Sequence, residues 1–393
     1  MRLLRTQVGI IGAGPSGLLL SHLLHLHGIE SIVVESRSKE YVEKRVRAGQ
    51  LQQSTVDLLR GAGLGARLDR EGLIHEGFEL RFNDRSHRMP FTELTGRTVR
   101  IYGQQEVVKD LIKARIAAGG QLYFAVDDVA IFDVCRDSPV MRCTLEGEAV
   151  QIACDFIAGC DGFHGMARKS VPANALSAYE KVYQFAWLGI LAAAPPTTKE
   201  LVFSVHDRGF ALHSIRSLQV SRLYLQVANG ECLTNWPDER IWKELHARLS
   251  LDSSPQLIEG PVLEKSIVTL RSFVVEPMQH GRLFLVGDAA HIFPPTAAKG
   301  LNLAVTDTAL LAEAFASWYS NKTREPLDEY SANALRRAWR AQEFSAWMTS
   351  LLHRFPDDAQ FDTKLQRSQL EHLISSSSAA TNFAENYVGV SLS

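Results

Sequence analysis

The chain has 393 residues, 46% hydrophobic and 22% charged, with a formal net charge of −2. That length predicts two or three domains and that composition a globular protein. The near-neutral charge gives no electrostatic case for nucleic acid or an anionic membrane, and no apolar run reaches the roughly 20 residues that cross a bilayer. Arg2 and Arg5 precede an apolar segment as in a signal peptide, but the glycines inside it predict a mature strand–turn–helix instead. The five cysteines show neither C-x-x-C pairing nor metal spacing, which predicts reduced thiols, no metal and a cytoplasmic enzyme.

Val8, Ile10 and Ile11 read as a buried parallel strand, followed by Gly12, Gly14 and Gly17 in G-x-G-x-x-G spacing and an apolar helix to about His27. Glycines there let backbone approach a pyrophosphate, and the helix N-terminus offers free N–H groups and a positive dipole end. The next strand, 31–34, ends in Glu35, placed to accept from ribose hydroxyls. Residues 36–41 read as a polar loop. Arg45 and Arg47 then precede a helical segment over 51–59; two guanidiniums can clamp phosphates or form a solvated basic loop. Strands are predicted at 73–75, 78–82 and 98–102, and a helix over 106–118. Short runs at 122–125, 129–131, 141–145 and 150–153 suggest a small antiparallel insertion. A return strand, 154–159, ends in Asp161-Gly162, where open α/β sheets bind ligands. From residue 179, four strands and an amphipathic capped helix, 238–249, argue a mainly β unit, with the way back at 270–275. A buried strand at 283–286 leads to Gly287-Asp288. An apolar helix runs from 301 to about 318, another over 328–353, and one more lies in the tail before Asn386-Tyr-Val-Gly389. The fold class is α/β (α+β): a discontinuous Rossmann-type domain, 1–178 plus 268–320, an inserted β-rich domain, 179–267, and a C-terminal helical region, 321–393.

The three fingerprints at Gly12, Asp161-Gly162 and Gly287-Asp288, in that order, resemble those of the FAD-dependent aromatic hydroxylases (group A flavoprotein monooxygenases). The resemblance runs the length of the chain. It is carried most specifically by residues 11–20, 157–165, 270–280, 287–302 and 384–389, and it is closest to the members that hydroxylate 4-hydroxybenzoate. It implies that Gly12, Gly14, Ser16, Gly17 and Glu35 hold the ADP half of FAD, and that Arg45, Arg47 and Gln104 meet its phosphates and ribose. Asp161 and Gly162 belong to the same cofactor site, and Asp288 accepts from the ribityl side. The backbone of Leu301 and Asn302 meets the pyrimidine edge of the flavin, where the helix dipole and Lys299 favour the reduced anion. On the substrate side, Ser214, Arg216 and Tyr224 match the family's carboxylate clamp. Arg222 lies near the flavin ring, and Pro295 and Thr296 flank the substrate ring. Trp187 either walls the pocket or is plain core. The implied reaction is hydride transfer from NADPH or NADH to FAD, then O2 addition at flavin C4a, then transfer of oxygen from the hydroperoxide to ring carbon 3 of a para-substituted benzoate. The cations Arg37 and Lys39 lean toward NADPH, although Ser36 stands where an arginine is expected. The expected partner is a small aromatic acid, with no nucleic acid and no membrane; a homodimer is left open.

The chain departs from the family at one informative position. The family deprotonates its phenol through a tyrosine, a second tyrosine and a histidine. Here Tyr387 and His75 match the second and third, while Phe203 stands at the first and has no hydroxyl. A phenol of pKa about 10 then needs another route. Three substrates compete: 4-hydroxybenzoate, with water or Tyr387 taking the proton; 4-aminobenzoate, whose nitrogen already donates to the ring; and 3,4-dihydroxybenzoate. Gln50 and Ala297 are further departures without an assigned role. Flavin-dependent halogenases and dehydrogenases share only part of the pattern, and a non-enzymatic NAD(P)-sensing flavoprotein would need neither residues 294–302 nor Arg216.

Overall fold

The computed structural model describes residues 1–47 and 49–389; Ala48 and the last four residues of the expected helical region lie outside them. Two eight-stranded sheets and one three-stranded sheet carry the fold. The first sheet has the order Gln279–His280, Leu283–Leu285, Glu148–Gly159, Arg2–Ile11, Ser31–Val34, Gln121–Tyr123. Its central strands are parallel and apolar because helices cover both faces: Val8, Ile10, Val33, Ile157 and Leu283 are each fully or almost fully buried. Helix Pro15–Leu26 follows the first strand at once. A Cβ on Gly17 would run into the carbonyl oxygen of Gly12, so glycine there sets how closely helix and strand approach.

Several elements depart from the sequence reading. The runs at 150–153 and 154–159 are one strand, Glu148–Gly159. It pairs in parallel with Arg2–Ile11 from Val150 to Gly159, and its first half also pairs antiparallel with Val140–Leu145 on the other side. The run near 122 is a parallel edge strand rather than part of the insertion. The polar loop at 36–41 holds the start of helix Lys39–Lys44, because the Ser38 hydroxyl accepts from the Tyr41 N–H at 3.2 Å. The segment 51–59 opens as a two-residue strand, Gln50–Leu51, before helix Gln53–Gly61. Helix Asp238–Leu249 forms as expected, though behind Pro237 and without a side-chain cap. The tail holds two helices, Gln360–Ser375 and Ser377–Val388, split where Ser376 caps the second by accepting from the Ala379 N–H at 3.4 Å. Tyr387 is therefore helical.

The second sheet runs His291–Ile292, Val262–Glu276, Ser177–Ala192, Ser221–Ala228, Ala211–Ile215, Leu201–Ser204, Gly77–Phe82, Arg85–Pro90. Residues 77–90, which fall inside the expected 1–178 segment, thus belong to the β-rich sheet, where Leu201–Ser204 pairs in parallel with Gly77–Phe82. The return strand spans 15 residues, Val262–Glu276; its first half is largely exposed and lacks the apolar alternation that marks a strand in sequence. One face of this sheet packs on helix Asp238–Leu249 through Leu188, Ile190, Leu223 and Leu225. The other face is aromatic, with Phe78, Trp187, Phe203 and Phe210 in one cluster that also takes in Phe383 and Tyr387 of the last helix. No helix among the described residues is long and apolar enough to cross a membrane.

Three histidines are buried and held neutral. Burial lowers the pKa of His75 and of His213 to about 4 and that of His353 to about 3. His353 stacks on Phe185 with centroids 4.5 Å apart, and its Nε2 accepts from Trp187 Nε1 at 2.7 Å. The unfolded chain protonates these groups near pH 6.5 and the folded chain does not. Stability is therefore full above that pH and falls as the pH drops toward 4. The denaturant midpoint should be lower at pH 5 than at pH 7.5, and His353→Gln should weaken that dependence; equal midpoints for the native sequence would contradict it.

Candidate active site

The glycine turn after the first strand is built as a phosphate cradle. Gly12 has φ of +103°, and a side chain on it would strike the backbone of Cys160. Gly14 heads helix Pro15–Leu26 with no atom within 4 Å of where its Cβ would stand, so open space lies against the helix N-terminus. Glu35 Oε2 accepts from the Ala13 N–H at 2.8 Å and its Oε1 from the Arg37 N–H at 2.8 Å, which braces this turn and leaves carboxylate lone pairs for hydroxyls. Ser16 is buried beside Gly287. In the turn Gly287–Ala289, Asp288 keeps an exposed side chain between buried neighbours. Surrounding protein raises its pKa, opposed by His291, Arg47 and Arg45. Arg47 in turn is lowered by desolvation and by Arg45. Neither Arg45 nor Arg47 forms an ion pair among the described residues, which leaves both for an anion. Gln104 is the first residue of helix Gln104–Ala117.

The flavin end converges on Asn302. This side chain is 1% exposed and uses all four of its hydrogen-bonding positions. Oδ1 accepts from the Gln52 N–H at 2.9 Å and the Thr55 hydroxyl at 2.8 Å; Nδ2 donates to the carbonyls of Gln50 at 3.0 Å and Ala298 at 2.9 Å. Helix Lys299–Asn321 is thereby pinned to strand Gln50–Leu51, while its first turn has no capping side chain and keeps its N–H groups free. Leu301 sits in that first turn. Lys299 is buried without a carboxylate partner among the described residues, and burial lowers its pKa to about 7. Its ammonium donates to the carbonyls of Asn386 and Tyr387.

On the aromatic face of the second sheet, the cross-strand register aligns Phe203 with Leu212, Leu212 with Tyr224, and Ser214 with Arg222. Arg216 follows on the same side. Desolvation lowers its pKa and the neighbouring Arg222 adds to this; Arg216 donates to Gln105 Oε1. The Arg222 guanidinium lies over the Tyr224 ring, 5.4 Å from its centroid, and its Nε has no partner. Neither arginine pairs with a carboxylate among the described residues, and Ser214 and Tyr224 share their sheet face. Trp187 is core: it is 2% exposed, hydrogen-bonded to His353, and backs Tyr224 at 4.9 Å. Pro295 is exposed and Thr296 buried in the turn Pro295–Ala297, with Thr296 Oγ1 3.0 Å from the Thr349 hydroxyl. Ala297 joins the aromatic cluster of Phe203.

One expectation needs correction. The Tyr387 hydroxyl does not connect to His75. It donates to Gln50 Oε1 at 3.0 Å, and His75 is buried with Nε2 unpartnered. Gln50 and His75 share one face of the three-stranded sheet, and the longer carboxamide meets the phenol first. Asp161 Oδ2 accepts from the Ala167 N–H at 2.8 Å and closes the loop around Gly162, whose φ is +74°, while its buried Oδ1 has no partner among the described residues. Gln50 was noted in the sequence without a role, and Gln105 and Asp307 were missed there. The last accepts from the Gly287 N–H at 3.1 Å and pairs with His291 at 2.7 Å, fixing the Asp288 turn. An acid on the buried side of an apolar helix was the available signal.

The profile described as an FAD binding domain matches residues 5–345. The chain is 48% identical over 391 residues to the p-hydroxybenzoate hydroxylase of Acinetobacter baylyi, covering 99% of this chain and 96% of that protein. The chain belongs to the FAD-dependent aromatic hydroxylases. A more distant relative, the 3-(3-hydroxy-phenyl)propionate/3-hydroxycinnamic acid hydroxylase of Mycobacterium avium, is 25% identical over 370 residues, 85% of this chain and 59% of that one. The fold is shared with p-nitrophenol 4-monooxygenase from Pseudomonas putida, with a TM-score of 0.83 and 17% identity over the whole of both chains. As a family member the chain is a flavin-dependent monooxygenase that uses FAD, NAD(P)H and O2. The open cradle at Gly14 and the uncompensated cations fit FAD. Gly14→Val should leave the apoprotein's melting temperature unchanged while raising the FAD dissociation constant roughly tenfold or more, read by fluorescence titration; unaltered affinity would refute the cradle.

Proposed function

We propose that this hydroxylase inserts oxygen at carbon 3 of a 4-substituted benzoate, with 4-hydroxybenzoate as the first candidate. The observation that carries this reading is the unneutralised pair Arg216 and Arg222, with Ser214 and Tyr224, at one end of an aromatic-walled sheet face. A partly buried guanidinium without a carboxylate is unfavourable until an anion arrives, and a planar carboxylate suits its fork. The relative from Acinetobacter baylyi, named a p-hydroxybenzoate hydroxylase, supports the same choice.

Bound FAD supplies the redox chemistry, taking hydride from NAD(P)H and activating O2. The chain's residues orient and shield. Gly12, Gly14, Gly17 and Glu35 hold the nucleotide half, and Arg45, Arg47 and Asp288 its middle. Lys299 and the free N–H groups at Leu301 and Asn302 stabilise negative charge at the ring. Phe203, Leu212 and Ala297 exclude water from the benzoate ring. For the donor we favour NADPH: among the described residues Arg37 makes no ion pair, and it lies over the Tyr41 ring at 5.4 Å, whereas Lys39 pairs with Glu43 at 3.7 Å. A second reading, 4-aminobenzoate, is favoured by Phe203, which is 1% exposed and brings no hydroxyl to the para end.

Arg216→Ala should raise the benzoate dissociation constant roughly a hundredfold, on the order of 3 kcal/mol; unchanged binding would remove the clamp. Phe203→Tyr should raise turnover of 4-hydroxybenzoate relative to 4-aminobenzoate, measured as product formed per NADPH oxidised. An equal effect on both would mean that the missing hydroxyl does not select the substrate.

A further inference from the structure

At the para end, Tyr387 is held on every side. Its ring stacks on Phe91 at 5.0 Å and on Phe383 at 5.9 Å, and meets Phe203 edge-on at 6.4 Å. Its hydroxyl has one protein partner, Gln50 Oε1, at 3.0 Å. The Gln50 main chain is fixed, because Asn302 Nδ2 donates to its backbone carbonyl at 3.0 Å; its side-chain Nε2 has no partner among the described residues, so the Tyr387 hydroxyl is what the carboxamide meets. The charged and titratable groups around this pair are Lys299, bonded to the Tyr387 carbonyl, Arg97, bonded to the Gly389 carbonyl at 3.3 Å, and neutral His75 on the face that carries Gln50. None of them hydrogen-bonds the Tyr387 hydroxyl.

A phenol O–H has one proton. Once that proton is given to Gln50, the Tyr387 oxygen can only accept from a neighbour. An acceptor suits a para substituent that carries hydrogen, an amine or an un-ionised hydroxyl. It does not suit a phenolate, which needs a donor. A carboxamide oxygen also takes no proton near neutral pH, so the chain of hydrogen bonds ends at Gln50 and carries no proton onward.

Building on the benzoate reading above, we propose that Gln50 is a specificity-determining positioning residue: by accepting the Tyr387 proton it fixes Tyr387 as a hydrogen-bond acceptor toward the para substituent. The enzyme therefore binds 4-hydroxybenzoate un-ionised and favours 4-aminobenzoate relative to a pocket whose tyrosine is free to donate.

The test compares the FAD-loaded wild-type enzyme with Gln50→Met, Gln50→Leu and Tyr387→Phe, and with each Gln50 change combined with Tyr387→Phe. The absorbance of bound 4-hydroxybenzoate is titrated against pH, and kcat/KM is measured for both benzoates. Wild-type should show no phenolate band near neutral pH. Gln50→Met or Gln50→Leu should free the Tyr387 proton to donate and lower the pKa of the bound phenol by about one unit. The preference for the amine should fall about fivefold to tenfold. In the Tyr387→Phe background the Gln50 changes should do nothing, because the residue acts through that hydroxyl. A phenolate band in the wild-type enzyme, an unshifted phenol pKa, or the same shift without Tyr387 would each overturn the proposal. If one Gln50 variant does not retain FAD, the other and the wild-type spectrum still decide. Failure of the wild-type enzyme to bind either benzoate would instead overturn the substrate reading, and this proposal with it.

Discussion

The four hydrogen bonds of Asn302 are the constraint on which the site's geometry depends. They join the start of a 23-residue helix to strand Gln50–Leu51 and to helix Gln53–Gly61, segments some 250 residues earlier in the chain. Through Gln52, whose Nε2 donates to the Tyr387 carbonyl at 3.0 Å, the same clasp reaches the last helix. The start of helix Lys299–Asn321, the main chain at Gln50 and the last helix at Tyr387 are thus held in one register. A buried amide with every position filled costs little to keep and much to break, since each lost partner leaves an unpaired group without water.

Around this clasp the protein gathers positive charge that it does not neutralise. Arg45 and Arg47 stand near Asp288, Lys299 is buried with carbonyls alone, and Arg216 and Arg222 face each other across the sheet. Each arrangement opposes folding slightly, because like charges and desolvation disfavour the ionised forms. Each favours an anion instead.

In the sequence, the strand, glycine turn and helix around Gly12, Gly14 and Gly17 read correctly because they are contiguous, and so their contacts are local. The strand at 31–34 ending in Glu35 did as well. Elements whose burial is asymmetric along their length read poorly: Val262–Glu276 begins exposed, and Glu148–Gly159 serves two pairings.

By itself the sequence determined the cofactor class, the order of the fingerprints and the missing hydroxyl at Phe203, because each is a property of residue type and short spacing. Only the tertiary structure decided who answers that absence. Gln50 and Tyr387 are 337 positions apart, and no periodicity relates them. Their hydrogen bond exists because the small sheet and the last helix are brought to the same aromatic cluster. The same is true of Arg216 meeting Gln105, and of strand Gly77–Phe82 joining the β-rich sheet: long-range pairing depends on how whole elements pack, and residue spacing carries no record of it.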